Sequence, residues 1–436
     1  MEPKVGDKVK ISTVKGEIEG TILECYVSGI CLIKLKSGYN VGIKKEDITN
    51  IEVRGGEIGK KEEKTKERLP LQKVAKDSRL KPTKKKKNLP NVDMIITGGT
   101  ISSRLDPKTG AVNWLTSAEE LFKFYPEIFN LVNVRKVKIP FMKASENMDY
   151  KDWQEIAKNV EESLSDKEVS GVIITHGTDF LHYTSAALSF FLDNVNKPVV
   201  LTYAQRSSDR ASSDATLNLQ CAAQMAISDI AEVMLVGHAT ANDDFCYAML
   251  GTKVRKMHTS RRNTFKSINT KPIAKIWHDR LELTGKYKKR DEKQNVKLDL
   301  NYNDKVALIK IYPGMDPEIF DFLSDRYEGV VLEIGGLGHL AIDEARKNLL
   351  PAIKKAIDNG LIICAVPQTL YGRLDPLVYS PGRKLMKTGI IFLEDMLPET
   401  ALVKLGWVLG HKQWKNKIKE KMLENIAGEL NKRLQL

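Results

Sequence analysis

An α/β chain of two units built on parallel sheets, preceded by a small all-β barrel module, is what the 436-residue sequence predicts. Three observations carry this. From Val92 onward, short and nearly continuous apolar runs alternate with amphipathic stretches, the pattern of buried parallel strands and their crossover helices. A polar stretch over about 284–304 divides that pattern in two. Ahead of it, residues 5–53 set short apolar runs between closely spaced glycines, as small antiparallel modules do.

In chain order, residues 1–54 form the predicted β module. Val9/Ile11, Ile33/Leu35 and Tyr39/Val41/Ile43 alternate between turns at Gly6, Gly16, Gly20, Gly29, Gly38 and Gly42. Residues 55–90 carry Lys, Glu and two prolines within 55–88 without a sustained apolar period, and read as a basic linker. The larger α/β unit spans 91–283, with strands expected at 92–97, 132–139, 172–175, 199–202 and 233–236 and helices at 149–164, 179–193 and 213–228. After the connection 284–304, the smaller unit 305–436 has strands at 306–311, 330–334 and 361–366 and ends in a helical tail.

Composition bounds the function. Hydrophobic residues make up 42 % and charged residues 29 %, ordinary for a globular chain, and no apolar run approaches the ~18 residues of a membrane span. The five cysteines are scattered and odd in number, and the first residues have no apolar leader, so a reducing cytoplasm is the expected compartment. The net charge of +13 is localised: residues 60–88 contribute +9 and 411–436 contribute +4. Attraction for a polyanion would therefore come from one linker and one terminal segment, and Lys-rich runs are more often simply solvated.

Three motifs follow predicted strand ends, where open α/β sheets place ligands. In Thr97-Gly98-Gly99-Thr100 the glycines permit a sharp turn that leaves Thr100 beyond the strand as a nucleophile, although a structural turn explains them equally. In Thr175-His176-Gly177-Thr178-Asp179, Thr178 either caps the next helix or supplies a reactive hydroxyl. Asp179 either favours the helix dipole or binds an ammonium group or orients a base. Lys256, in Val254-Arg255-Lys256, is a base if buried and a surface charge otherwise. Phosphate-loop, dinucleotide and serine-elbow motifs do not occur, and His and Cys lack metal-ligand spacing, so neither metal nor cofactor is expected in this chain.

Together, Thr-Gly-Gly-Thr-Ile, Thr-His-Gly-Thr-Asp and Val-x-Lys, in that order, resemble the bacterial-type L-asparaginase/glutaminase family from about Val92 to the C-terminus. Ser145-Glu146-Asn147-Met148, Ala204-Gln205-Arg206-Ser207-Ser208-Asp209 and Ser213-Asp214 are further matches. With Pro367-Gln368, Gly382-Arg383, Asp395-Met396-Leu397-Pro398-Glu399 and the extra β module, the chain looks more like the GatD branch of archaeal glutamyl-tRNA(Gln) amidotransferases than a free-standing asparaginase.

That resemblance implies a two-unit asparaginase-like fold, with Thr100, Thr178, Asp179 and Lys256 catalytic and Ser145 and Glu146 touching substrate. Thr100 is the first choice of nucleophile, with Thr178 able to exchange roles; a neutral Lys256, oriented by Asp179, takes the proton. Glutamine or asparagine is the implied amide donor. The implied partner is GatE, the kinase/transamidase component of the amidotransferase, which uses ATP and Mg and holds tRNA(Gln), with this chain a homodimer within a heterotetramer. Tyr203 departs from the family's usual Gly before Ala-Gln-Arg. Two other readings are a free-standing cytoplasmic L-asparaginase and a catalytically silent RNA-binding scaffold.

Overall fold

The structure, a computed structural model, describes residues 3–14, 16–23, 25, 28–35, 40–54, 89–105, 112–114, 125–207, 210 and 212–434; the basic linker and Asp209 lie outside them. Two compact units result, Met1–Asn88 with Arg104–Asn113, and Leu89–Ser103 with Trp114–Leu436.

In the N-terminal unit, five antiparallel strands run in the order Asn40–Lys44, Ile30–Leu35, Gly16–Leu23, Lys8–Thr13 and Ile48–Val53. Alternation places Val9, Ile11, Ile22, Ile33 and Ile43 on one inner face. The ladder is open between its two edge strands among the described residues, so barrel closure by hydrogen bonding is absent there. A single 3-10 turn, Lys45–Asp47, joins those two edge strands.

The second unit is built on an eight-stranded sheet. Its five parallel strands lie in the order Val233–His238, Val199–Thr202, Val169–Thr175, Asn91–Ile96 and Asn133–Lys138. Crossover helices Tyr150–Leu164, Leu181–Phe191 and Ala215–Ala226 connect them. The first of these shows how sequence dictates the element. Asp149 accepts from Lys151 N at 2.8 Å, Asp152 accepts from Asp149 N at 3.1 Å, and Ile156, Ala157, Val160, Ser163 and Leu164 form the buried stripe. Asp93 sits on a strand buried on both faces and survives there because Arg135, on the neighbouring strand, pairs with it at 3.3 Å.

The sheet is not parallel throughout. Cys246–Leu250, Ala274–Ile276 and Leu281–Leu283 extend it antiparallel. The connection 239–245 is too short for a crossover, which takes about a dozen residues, so the chain can only reverse. Residues 284–304 run largely without regular structure, with Lys297–Leu298 pairing to Leu192–Asp193. The smaller sheet, Val306–Lys310, Gly329–Ile334, Ile362–Pro367 and Ile391–Phe392, is parallel.

The terminal segment is helical only in part. Pro398–Leu409, a 3-10 turn Lys412–Lys417 and Ile418–Leu423 are followed by irregular chain. There Glu429 turns inward and its carboxylate meets the ammonium of Lys404, both side chains fully buried. A continued helix cannot bring position 429 back to 404, which is why the expected tail stops. No helix among the described residues is long and apolar enough to cross a membrane.

Candidate active site

Two loops at the carboxyl ends of adjacent parallel strands form the frame. Thr97 N and Thr97 Oγ1 both donate to Thr175 O, at 3.2 and 2.8 Å, which locks the ends of strands Asn91–Ile96 and Val169–Thr175 together. Beyond them Gly98 and Gly99 take φ values of +122° and +82°. A Cβ on Gly98 would lie 2.4 Å from Lys143 O, and one on Gly99 would lie 2.4 Å from Gly177 N. Only glycine allows this backbone-to-backbone approach, and it brings the loops at 98–100, 143–145 and 176–178 together. Thr100 opens the 3-10 turn Thr100–Ser102, half-buried, its hydroxyl without a hydrogen-bond partner among the described residues.

Thr178 does not cap a helix. The helix begins at Leu181, preceded by Phe180 with no side-chain cap. Instead Lys256 Nζ donates to Thr178 Oγ1 at 2.9 Å and to Asp179 Oδ1 at 2.7 Å. Lys256 ends the strand Val254–Lys256, which pairs with Phe265–Ser267, Lys256 opposite Phe265. Its side chain is 10 % exposed and that of Asp179 is 62 % exposed, so the ion pair opens to solvent on its carboxylate side only. The structure thus brings Thr178, Asp179 and Lys256 into direct contact.

Ser145 is buried against Gly177, and its Oγ accepts from Phe180 N at 3.3 Å, fastening the turn that carries Thr178. Glu146 is exposed and makes no side-chain hydrogen bond among the described residues. His176 is fully buried. Its Nδ1 lies 2.7 Å from Gly177 O, which can only accept, so the proton resides on Nδ1 and Nε2 accepts from Thr184 Oγ1 at 3.0 Å. Burial pushes its pKa down to about 4, against the Gly177 hydrogen bond, keeping the imidazole neutral.

A cavity of ≈ 420 Å³ adjoins this constellation, lined by Asp179, His182, Tyr183, Arg255, Lys256 and Glu399 among others. The sequence motifs gave His182, Arg255 and Glu399 no role. Arg255 Nε pairs with Glu399 Oε1 at 3.0 Å. Burial raises the Glu399 carboxyl, but His182 and Arg255 more than offset this and hold it below the usual range. Their meeting joins three elements far apart in sequence; the signals were the adjacency of Arg255 to Lys256 and the place of Glu399 in the segment Asp395-Met396-Leu397-Pro398-Glu399. Among the described residues, no cluster of three or more His, Cys, Asp or Glu is disposed to hold a metal ion.

Tyr203 is buried in a compensated position. Its ring packs on Phe265 at 4.8 Å between centroids, and its hydroxyl donates to Arg262 O at 3.0 Å. A Cβ on Gly237 would fall 2.3 Å from the Tyr203 ring, so the bulk at 203 is accommodated by its absence at 237.

Fold and site define a chain of the asparaginase class. Residues 91–289 match the family description "Asparaginase, N-terminal", and 305–422 match "Glutaminase/Asparaginase C-terminal domain". The solved thermostable L-asparaginase from Thermococcus kodakarensis superposes with a TM-score of 0.71 at 31 % identity, covering 78 % of this chain and 99 % of that one. L-asparaginase I from Vibrio cholerae gives 0.67 at 27 %, covering 79 % and 100 %. Residues 3–53 match the "GatD N-terminal domain". The corresponding glutamyl-tRNA(Gln) amidotransferase component of Pyrococcus furiosus, its GatD protein, is 49 % identical, with 98 % of this chain and 95 % of the relative aligned. The Thermococcus kodakarensis GatD protein is 47 % identical over 98 % and 94 %. The chain belongs to the GatD family of glutamyl-tRNA(Gln) amidotransferases.

Proposed function

We propose that the chain is the glutamine-hydrolysing component of a tRNA-dependent amidotransferase, releasing ammonia from the side-chain amide of glutamine, or of asparagine, for conversion of Glu-tRNA(Gln) to Gln-tRNA(Gln). The observation that carries this reading is the contact of one lysine nitrogen with both Thr178 Oγ1 and Asp179 Oδ1. A second hydroxyl, Thr100, stands on the loop whose backbone touches Gly177. The matched N-terminal module and the near full-length likeness to amidotransferase components support the coupled role.

In this mechanism Thr100 is the first choice of nucleophile and Thr178 the alternate. Its oxygen attacks the amide carbon while backbone N–H groups near Gly99 and Gly177 face the developing oxyanion. General-base work requires a neutral Lys256 and the Thr178–Lys256 hydrogen bond reversed: the proton of the attacking hydroxyl passes to Nζ directly when Thr178 attacks, or by way of the Thr178 hydroxyl when Thr100 does, and onward to the leaving nitrogen. Ammonia departs, water attacks the acyl-threonine, and the carboxylate leaves as the hydroxyl regains its proton. Ser145 and Glu146 contact the bound substrate. A GatE partner supplies ATP, Mg and the main hold on tRNA(Gln). This chain acts as a homodimer within a heterotetramer, in the cytoplasm.

The deciding experiment follows glutamate release by the chain alone, with the partner, and with partner and glutamyl-tRNA, using glutamine labelled at the amide nitrogen. Activity should be low alone and rise in the loaded complex, with label appearing on the tRNA-bound product. Equal rates in all three assemblies point to a free-standing amidohydrolase, the activity named for the solved L-asparaginases. No hydrolysis in any assembly leaves only a scaffold.

A further inference from the structure

A buried histidine outside the proposed relay stands where the ribbon that carries Lys256 meets the end of the sheet. His238 is the last residue of the strand Val233–His238 and is fully buried. Its Nδ1 lies 2.6 Å from Asn218 Oδ1 and its Nε2 lies 3.0 Å from Asp243 Oδ1. The Asn218 amide cannot turn round, because its Nδ2 donates to Tyr203 O at 2.9 Å and a carbonyl only accepts. Burial raises the Asp243 carboxyl, but the hydrogen bonds from His238 and Arg262 more than offset this and hold it below the usual range, so it stands as a carboxylate. Both ring nitrogens therefore face acceptors, and only the imidazolium donates to both.

The charges around the ring agree. Asp214, at the head of the helix Ala215–Ala226, and Asp243 and Asp244, on the loop 239–245, are three acids. Burial raises Asp214, yet its Oδ1 accepts from Gln205 N and Arg206 N at 3.0 Å each. Two cations face these acids: Arg262, 2.6 Å from Asp243 Oδ1, and Lys266, which donates to Ala239 O at 2.9 Å. Cys246, opposite His238 on the paired strand, is a thiol that burial keeps protonated. A charged ring balances the set.

From the ring, contacts lead to the base. The Asp243 side chain is 62 % exposed, and an ion pair so placed is a weak tether by itself. The buried ring fixes where that carboxylate stands. Arg262, on the turn 257–264, donates to it and to Ala241 O, while Arg262 O accepts from the Tyr203 hydroxyl at 3.0 Å. Lys256 and Phe265, paired across the ribbon, flank that turn. We propose that His238 is a positioning residue for amide hydrolysis: its imidazolium, held between Asn218 and Asp243, docks Arg262 and thereby keeps Lys256 on Thr178 Oγ1. The proposal rests on the hydrolysis reading and adds what holds its base in place. A neutral ring keeps its proton on Nδ1, against the buried Asn218 oxygen, and turns a lone pair on Asp243, which loosens the tether.

The test follows glutamate release by the chain with its partner and glutamyl-tRNA from neutral to alkaline pH. The wild-type kcat should fall on the alkaline side as the ring loses its proton. His238→Gln should lower kcat on the order of tenfold with the KM for glutamine nearly unchanged, the mark of a misplaced catalytic group, and its profile should lack that fall. Asp243→Asn keeps an acceptor but removes the charge that favours the protonated ring, so its fall should move to lower pH. Lying on an exposed loop, it carries the test if His238→Gln does not fold. Arg262→Met cuts the tether beyond the ring, and combining it with His238→Gln should give an enzyme no slower than the slower single variant. A wild type without the alkaline fall overturns the proposal. So does a fall that stands unmoved in His238→Gln and Asp243→Asn, or losses that multiply in the double variant. A wild-type complex that releases no glutamate at any pH defeats the hydrolysis reading itself.

Discussion

Lys256 Nζ lies 2.9 Å from Thr178 Oγ1 across 78 positions of sequence, and the same nitrogen reaches Asp179 Oδ1 at 2.7 Å. One cation thus bridges a hydroxyl and a carboxylate on consecutive residues, and does so from a two-stranded ribbon rather than from the sheet that carries them. Lys256→Met and Thr178→Ala should each lower glutamine turnover by on the order of a hundredfold or more, the usual scale for losing general-base assistance. Stability should barely move, because the Asp179 carboxylate is mostly exposed and such pairs contribute little. Near wild-type turnover in either variant, read from steady-state glutamate release, would discard the relay.

Much of this site was legible in the sequence because its parts sit at strand ends, where glycine pairs and hydroxyls stand out from buried apolar runs. What local reasoning left open was the role of Thr178. A threonine before a helix is a cap by default, and only the distant Lys256, with the helix start displaced to Leu181, reassigns it. The fully buried ion pairs were not legible. Lys253 with Asp395 and Lys404 with Glu429 pair with all four side chains fully buried, and no local pattern marks either pairing. Their burial depends on pairings that no periodicity encodes. The antiparallel edge escaped for a similar reason, since its strands at 274–276 and 281–283 are three residues each and too short for a pattern.

His176 predicts an acid limit on stability. Its folded pKa is about 4 against 6.5 for the free side chain. Above pH 6.5 both states are neutral and stability is unaffected. As pH falls from 6.5 towards 4, the unfolded chain gains a proton that the native site refuses, so stability declines through that window by up to about 3 kcal/mol. Denaturant titrations at pH 7 and pH 4.5 should show this loss for the wild type and a smaller one for His176→Gln. Equal losses in both would mean that other groups set the acid limit.

Gly237 and Tyr203 should behave as one unit. Gly237→Ala places a methyl group 2.3 Å from the Tyr203 ring, which is too close to be tolerated without displacing it. The expected destabilisation is about 1–3 kcal/mol, the range for overpacking a core. With Tyr203→Gly already in place, the same substitution should be close to neutral, giving a coupling well outside the additivity of separate sites. Glutamine turnover should fall in the single variant as well, because the displaced hydroxyl no longer holds Arg262 O in the loop that joins Lys256 to its ribbon partner Phe265. Additive free energies across the four variants would show the fit at 237 to be incidental.

The N-terminal segment should matter for coupling rather than for the chemistry. The residues of the proposed relay all lie beyond Leu89, whereas residues 60–88 hold 13 Lys or Arg against 4 Asp or Glu. A run of cations that neutralises RNA phosphates releases counterions, so its contribution fades as salt rises, by a slope of roughly −0.7 to −0.9 in log affinity per phosphate contacted. Deleting residues 1–88 should therefore leave the melting transition of the catalytic unit and its glutamate release near those of the full chain. The KM for glutamyl-tRNA in the complete complex should rise, strongly at about 50 mM salt and much less at about 200 mM, because the full chain alone loses affinity between the two. Parallel salt slopes for the two chains would place every tRNA phosphate contact on the partner, and the lysines of the linker would then be only solvated.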